Sequence, residues 1–352
     1  MAEEDSRRYR YIHYVVDHCL ANWVVTDPNR VSPEKRHRNY QAATETPYVY
    51  LCGGRSFLVK KNPYGLAIGL TLITAGILYW VFEAPWAWHH QSPAVVIIFS
   101  YLWVLTLCFL VKASTSDPGL QPKNIHLPFD STKLLLESGP DEYFDTISLP
   151  YYSNRTVGAS VKYCATCHIW RTPRMSHCLV CNVCVQNHDH HCVYINNCVG
   201  AGNYRFFLWF LLTTVITCFY LGTFMFLRCS RYRRMEGYES FADFVKHSPV
   251  SLLLGLLSCV GVIYPLLLLL FHTYLTANNI TTREYLNNAR GNPDYVNVFD
   301  THSILKNLAI NWLASPYKNK VYHPRDTIRE DLSTMILPPL SSFKISRFAT
   351  NN

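Results

Sequence analysis

Hydrophobic positions in this chain are gathered into blocks, not spread at amphipathic spacing. Residues 64–82, 93–111, 206–227 and 250–270 hold no Asp, Glu, Lys or Arg. Each block is close to the roughly 20 apolar residues that a helix needs to cross a bilayer. Buried helices of a soluble protein rarely form four uncharged runs of this length. The pattern therefore predicts an all-α polytopic membrane protein with four transmembrane helices.

The blocks also divide the chain. Residues 1–63 form a polar N-terminal segment, expected to be loose, and 64–111 the first two helices. Residues 112–205 are a long polar insert, 206–275 the third and fourth helices, and 276–352 a C-terminal tail. The 352 residues could otherwise fill two or three soluble domains, but 49% apolar and only 16% charged residues agree with the membrane reading. The start, "MAEEDSRRYRY", is charged and has no secretory-signal pattern, so the first helix is expected to serve as an uncleaved signal.

Charge orients the helices. The N-terminal segment carries Arg7, Arg8, Arg10, Lys35, Arg36, Arg38, Lys60 and Lys61, whereas the loop "EAPWAWHHQS" has no Lys or Arg. The insert and the tail are basic as well. By the positive-inside rule both termini and the insert face the cytosol. The loop "RCSRYRRMEGYESFADFVKH" is an exception, since four spans put its basic residues in the lumen. Much of the net charge of +8 then lies along a membrane face, where anionic lipid is the expected neighbour. Nucleic acid is not, because no basic run is interleaved with stacking aromatics.

Seven of the thirteen cysteines fall in the insert, in "YCATCHIWRTPRMSHCLVCNVCVQNHDHHCVYINNC". Cys108, Cys218 and Cys259 lie in the apolar blocks and are expected to pack as small apolar residues. A disulfide framework suits the cluster poorly, because the cytosol is reducing and seven is odd. Repeated Cys-x-x-Cys units with nearby histidines suit tetrahedral zinc. Two zinc ions need eight ligands, which Cys164, Cys167, Cys178, Cys181, Cys184 and Cys198 with two histidines could supply. One cysteine and at least one histidine are left over, and spacing does not say which.

The residues "DHHC" suggest chemistry for the remainder. A thiolate attacks thioesters, an adjacent imidazole takes its proton, and a carboxylate fixes the imidazole tautomer. Asp189, His190 and Cys192 could form that set, since neighbouring side chains point different ways and His191 could face a metal. A purely structural zinc finger accounts for the same spacing. A phosphoesterase with a DHH motif would need clustered carboxylates for hard metals, and the insert lacks them.

Taken together, "CATC", "HC", "CNVC", "DHHC" and "NNCVG", set between the second and third of four membrane helices, resemble the DHHC cysteine-rich protein S-acyltransferases. "DPG" at 117–119, "TTRE" at 281–284 and "FDTHSILKNL" in the tail fit further motifs of that family. The resemblance implies one zinc on Cys164, Cys167, His177 and Cys184, and a second on Cys178, Cys181, His191 and Cys198. It implies Cys192 as the acyl-carrying nucleophile, His190 as its base and Asp189 as the orienting carboxylate. Thr281, Thr282 and Asn307 fall at supporting motif positions, and the cysteine-rich domain covers about 162–200. Tyr194 departs from the tryptophan that many members carry, so altered acyl contact is expected there.

The activity so implied is protein S-palmitoylation. A long-chain acyl group, with palmitoyl-CoA as donor, passes through an acyl-enzyme to a protein cysteine. Lys162, Arg171 and Arg174 are candidates to meet the CoA phosphates. "SDPGLQPKNIHLP", "KYCATCHIWRTPR" and "NYRFFLWFLL" resemble the fungal branch of the family that acts on Ras. That likeness implies a lipidated Ras-type GTPase as substrate, a small accessory subunit and the endoplasmic reticulum membrane. A non-catalytic zinc-finger membrane adaptor is the rival reading.

Overall fold

The structure, a computed structural model, describes residues 25–26, 48–51, 56–59, 64–121, 123, 144–151, 155–289 and 296–313. It divides into two compact units. One comprises Pro63–Ala113 with Arg205–Leu275; the other comprises Met1–Asn62, Ser114–Tyr204 and Thr276–Asn352.

The helical unit is built on four helices long and apolar enough to span a membrane: Ala67–His90, Pro93–Thr115, Tyr204–Ser230 and Pro249–Ala277. The first span joins α1 (Tyr64–Leu78) to α2 (Ala84–His90) through a π turn, Tyr79–Glu83. Pro85 has no N–H to offer the preceding turn, which accounts for the interruption. The second span is α3 (Pro93–Thr115) and the third is α4 (Tyr204–Ser230). Two short helices, α5 (Tyr232–Glu236) and α6 (Phe241–His247), lead to α7 (Pro249–Gly261) and α8 (Ile263–Ala277). Pro265 follows the join between α7 and α8, again removing one rung of the helix ladder. Large apolar side chains such as Leu70, Phe226, Val260 and Leu267 stand on the outer faces, as lipid-facing residues should.

Small and polar residues join these helices. The Trp103 ring lies against Gly76, where a Cβ would have no room, and its indole N–H reaches Leu72 O at 2.9 Å. The hydroxyls of Thr106 and Thr217 meet at 3.1 Å, and Tyr220 donates to Val95 O at 3.2 Å. Two expectations change here. The helices outrun the apolar blocks and take in Glu83 and Arg228. Cys108 and Cys259 are exposed on helix surfaces, so they do not pack inside.

Arg228 is buried and fully engaged. It donates to Glu83 Oε2 at 2.6 Å, to Glu236 Oε1 at 2.8 Å and to Ser248 Oγ at 3.1 Å, and it lies over the Trp86 ring. Ser251 completes the cluster by donating to Glu83 Oε1 at 2.7 Å. The first cation of the basic loop is thus neutralised within the protein.

The cysteine-rich unit contains small antiparallel sheets. Strands β1 (Val25–Thr26), β2 (Tyr48–Leu51) and β3 (Ser56–Val59) form one sheet, so part of the N-terminal segment expected to be loose is ordered. Strands β4 (Phe144–Tyr151), β5 (Arg155–Cys164) and β6 (Ile169–Trp170) form a second. Two hairpins follow: β7 (Ser176–Cys178) with β8 (Val183–Val185), and β9 (His190–Cys192) with β10 (Asn197–Val199). After the fourth span come α9 (Thr282–Glu284), a π turn at Tyr285–Ala289, and α10 (Ile304–Trp312).

The "DPG" residues fasten the start of this unit to the cysteine hairpins. Asp117 Oδ1 accepts from the N–H groups of Gly119 and Leu120, and Leu120 bridges to Val185. Gly119 has φ of 116°, a conformation side-chain-bearing residues avoid, and lies against the Gln186 backbone.

Candidate active site and metal centres

Hairpin register decides which residue goes where. His177 pairs directly across from Cys184, and His191 directly across from Cys198. Each pair brings a histidine and a cysteine to one side of its hairpin. Cys164 and Cys167 join the first pair, while Cys178 and Cys181 join the second, and in each group the four ligand atoms lie within 4.8 Å of one another. Consecutive strand residues face opposite ways, so His177 and Cys178 serve different groups. His168 and Asn182, each just after a Cys-x-x-Cys unit, take left-handed φ of 50° and 49° that turn the chain back.

The donor sets fit tetrahedral zinc. Bond lengths of about 2.3 Å to sulfur and about 2.0–2.1 Å to nitrogen put the two donor types about 3.6 Å apart. His177 Nδ1 lies 3.6, 3.3 and 3.9 Å from Cys164, Cys167 and Cys184, and His191 Nδ1 lies 3.7, 3.4 and 3.6 Å from Cys178, Cys181 and Cys198. Thiols so close cannot all ionise against one another. Hydrogen bonding from Cys167 and Cys184 holds Cys164 far down, and contact with Cys164 and Cys167 pushes Cys184 far up. Cys178 is likewise held down by Cys181 and Cys198, and Cys198 pushed up by Cys178 and Cys181. A dication that takes three thiolates relieves this conflict.

Alternation along β9 divides its three residues between two faces. His191 turns to the second cluster, while His190 and Cys192, two residues apart, share the other face. His190 Nδ1 donates to Asp189 Oδ2 at 2.8 Å, which fixes the tautomer and leaves Nε2 for Cys192. Burial opposes an imidazolium here, but the hydrogen bond to Asp189, then Cys192 and the Asp189 charge, outweigh it and carry His190 up to about 9. The pair is therefore poised as imidazolium beside the Cys192 sulfur. Cys192 and Asp189 are buried, and His190 is partly exposed.

Asp189 is itself pinned. Thr282 donates from its backbone N–H to Oδ1 and from its hydroxyl to Oδ2, both at 2.7 Å. Thr281 and Glu284 close a capping box around α9: the Thr281 hydroxyl accepts from Glu284 N at 3.2 Å, and Glu284 Oε2 accepts from Thr281 N at 2.9 Å. Asn307 holds the tail by donating to Ala277 O at 2.8 Å and Asp300 Oδ1 at 2.7 Å.

The three candidate phosphate contacts lie in different settings. Lys162 is exposed, with its ammonium 5.0 Å from the Phe144 ring centroid. Arg171 has a buried Nε without a hydrogen-bond partner. Arg174 is already bound: it donates to Glu284 Oε1 at 2.8 Å and Asn279 O at 2.6 Å, and stacks on Phe299. Tyr194, two residues after Cys192, is exposed. Sequence reasoning missed this role for Arg174, although Thr-x-x-Glu is a readable capping signature.

The matches to known proteins agree with this arrangement. A family model described as DHHC palmitoyltransferase matches residues 159–289. Palmitoyltransferase ERF2 of Debaryomyces hansenii is 44% identical over 97% of this chain and 95% of its own length. The chain belongs to the DHHC palmitoyltransferase family. Palmitoyltransferase ERF2 of Kluyveromyces lactis is 37% identical over 80% of this chain and 74% of its own length. The Saccharomyces cerevisiae protein of the same name is 38% identical over 74% and 72%. As a member of the DHHC palmitoyltransferase family, the chain is a protein S-acyltransferase. The non-catalytic adaptor is set aside.

Proposed function

We propose that this protein S-palmitoyltransferase takes a long-chain acyl group from palmitoyl-CoA onto Cys192 and delivers it to a cysteine of a lipidated Ras-type GTPase. One observation carries the residue roles: His190 and Cys192 share a strand face, with His190 bonded to an Asp189 that Thr282 pins through two hydrogen bonds.

Cys192 attacks as thiolate at the thioester carbonyl. The carbon–sulfur bond to CoA breaks, and the departing CoA sulfur takes the His190 proton. The acyl group then sits on Cys192. An incoming substrate thiol gives its proton to His190 and attacks the acyl carbon, which releases Cys192 as thiolate. Thioester exchange is nearly isoenergetic, so the site has mainly to supply thiolate and proximity.

Zinc at the two Cys₃His groups supplies a closed, structural cross-link and takes no part in these steps. Lys162 and Arg171 are the side chains we assign to the CoA phosphates. Arg174 instead braces Glu284 and the α9 turn. Basic segments support a cytosolic active face. The likeness of "SDPGLQPKNIHLP", "KYCATCHIWRTPR" and "NYRFFLWFLL" to the fungal branch of the family is what supports the Ras-type substrate, the endoplasmic reticulum membrane and a small accessory subunit. The test is incubation of the purified chain with radiolabelled palmitoyl-CoA. A hydroxylamine-labile acyl group on Cys192 is expected, and a label on another residue would reject these roles.

A further inference from the structure

The N-terminal strands make a contact that the acyl-transfer chemistry does not use. Tyr48 and Val59 pair directly across the β2–β3 hairpin and are buried together with Leu120, Cys178, Cys181 and Cys198. The Tyr48 hydroxyl lies 3.2 Å from Cys181 Sγ and 3.3 Å from Asn197 Oδ1. Asn197 turns that oxygen towards Tyr48 because its amide N–H groups are held by Ser114 O and Ser116 O at 3.1 and 3.0 Å. A second tether ties the hairpin down, from Asn196 Nδ2 to Val59 O at 2.9 Å.

We propose that Tyr48 is a positioning residue of the second metal site, whose hydroxyl bonds the Cys181 sulfur and slows loss of the metal from that site alone. Of the two acceptors within its reach, a metal-bound thiolate carries charge and is the stronger. A hydrogen bond to it draws off negative charge, making the sulfur less open to protonation and alkylation. Partners of this outer kind hold metal ligands in place, and their removal typically weakens binding by about 10–100-fold.

The first site provides an internal control. Among the described residues, no side-chain hydroxyl bonds Cys164, Cys167 or Cys184. The proposal rests on the reading that both groups bind zinc. It gives the N-terminal segment a definite task, since β2 and β3 then act as an outer wall of the second site.

Tyr48→Phe keeps the ring and removes only the hydroxyl. The full chain is purified in detergent, its zinc is counted by elemental analysis, and release to a chromophoric chelator is followed over time. Brief alkylation with peptide mapping then reports which sulfur has opened. In Tyr48→Phe, one zinc per chain should leave about tenfold faster or more, the other should keep its rate, and Cys181 should be alkylated ahead of Cys164 and Cys167. Unchanged release, or equal acceleration of both ions, overturns the proposal. Fewer than two zinc in the wild-type chain would instead overturn the two-site reading beneath it, so the two failures are distinguishable.

Discussion

Asp189 accepts from His190 Nδ1 and from both the N–H and the hydroxyl of Thr282, and its effect on His190 is what a proton-transfer pair needs. His190 is raised to about 9, so below that pH it stays protonated beside Cys192. The contribution of this pair to stability is full below the ordinary histidine range and is lost as pH rises through about 9. Asp189→Asn removes the charge that lifts His190. Its alkaline limb for acyl-enzyme formation should therefore move to lower pH, and a pH profile of single-turnover loading checks this. A limb that stays in place would mean that another group sets it. Arg174 reaches the same carboxylate indirectly through Glu284 and the α9 capping box. Arg174→Met should slow loading about tenfold or more, as expected for a misplaced proton-transfer group. Adding it to Asp189→Asn should cost little further, because both act on one chain of contacts. Full additivity in that double-mutant cycle would make Arg174 an independent contributor.

At the scale of elements, the membrane helices were readable from the sequence because a bilayer allows few alternatives to long apolar helices. Their ends were not. The apolar blocks stop before Glu83 and Arg228, yet the helices continue, because those charges meet each other 145 positions apart. No local pattern displays such a pairing. The ligand division was likewise open on spacing alone. The register that sets His177 against Cys184 and His191 against Cys198 decides it, and register is a property of hairpins, not of motif letters. "YVYLCGGRSFLV" does carry a hairpin signal, two β-favouring runs around a Gly-Gly pair, which a search for apolar blocks passes over. Arg228→Met should lower thermal stability strongly, since breaking a buried ion pair from one side costs about 3–5 kcal/mol. Here it leaves Glu83 and Glu236 without their cation. Combining it with Glu83→Gln should restore part of the loss, read by thermal unfolding in detergent. If Arg228→Met unfolds at the wild-type temperature, the cluster does not hold the helix ends.

For the whole molecule, family membership and four spans fit an enzyme that works at a membrane surface. Neutralisation of Arg228 inside the protein also weakens the one objection to the orientation, because a cation paired with two carboxylates adds little to the positive-inside bias. Glycosylation acceptors placed beside His89 should be modified, and acceptors beside Cys178 should not. The reverse pattern would turn the active face to the lumen. The central claim is that the cysteines divide between metal and chemistry within a few residues. It is tested most directly by measuring zinc per chain beside acyl-enzyme formation in Cys192→Ser and Cys198→Ser. Cys192→Ser should keep about two zinc per chain and form no acyl-enzyme, whereas Cys198→Ser should lose zinc and activity together. An acyl-enzyme in Cys192→Ser, or loss of zinc from it to the extent seen in Cys198→Ser, would contradict the account.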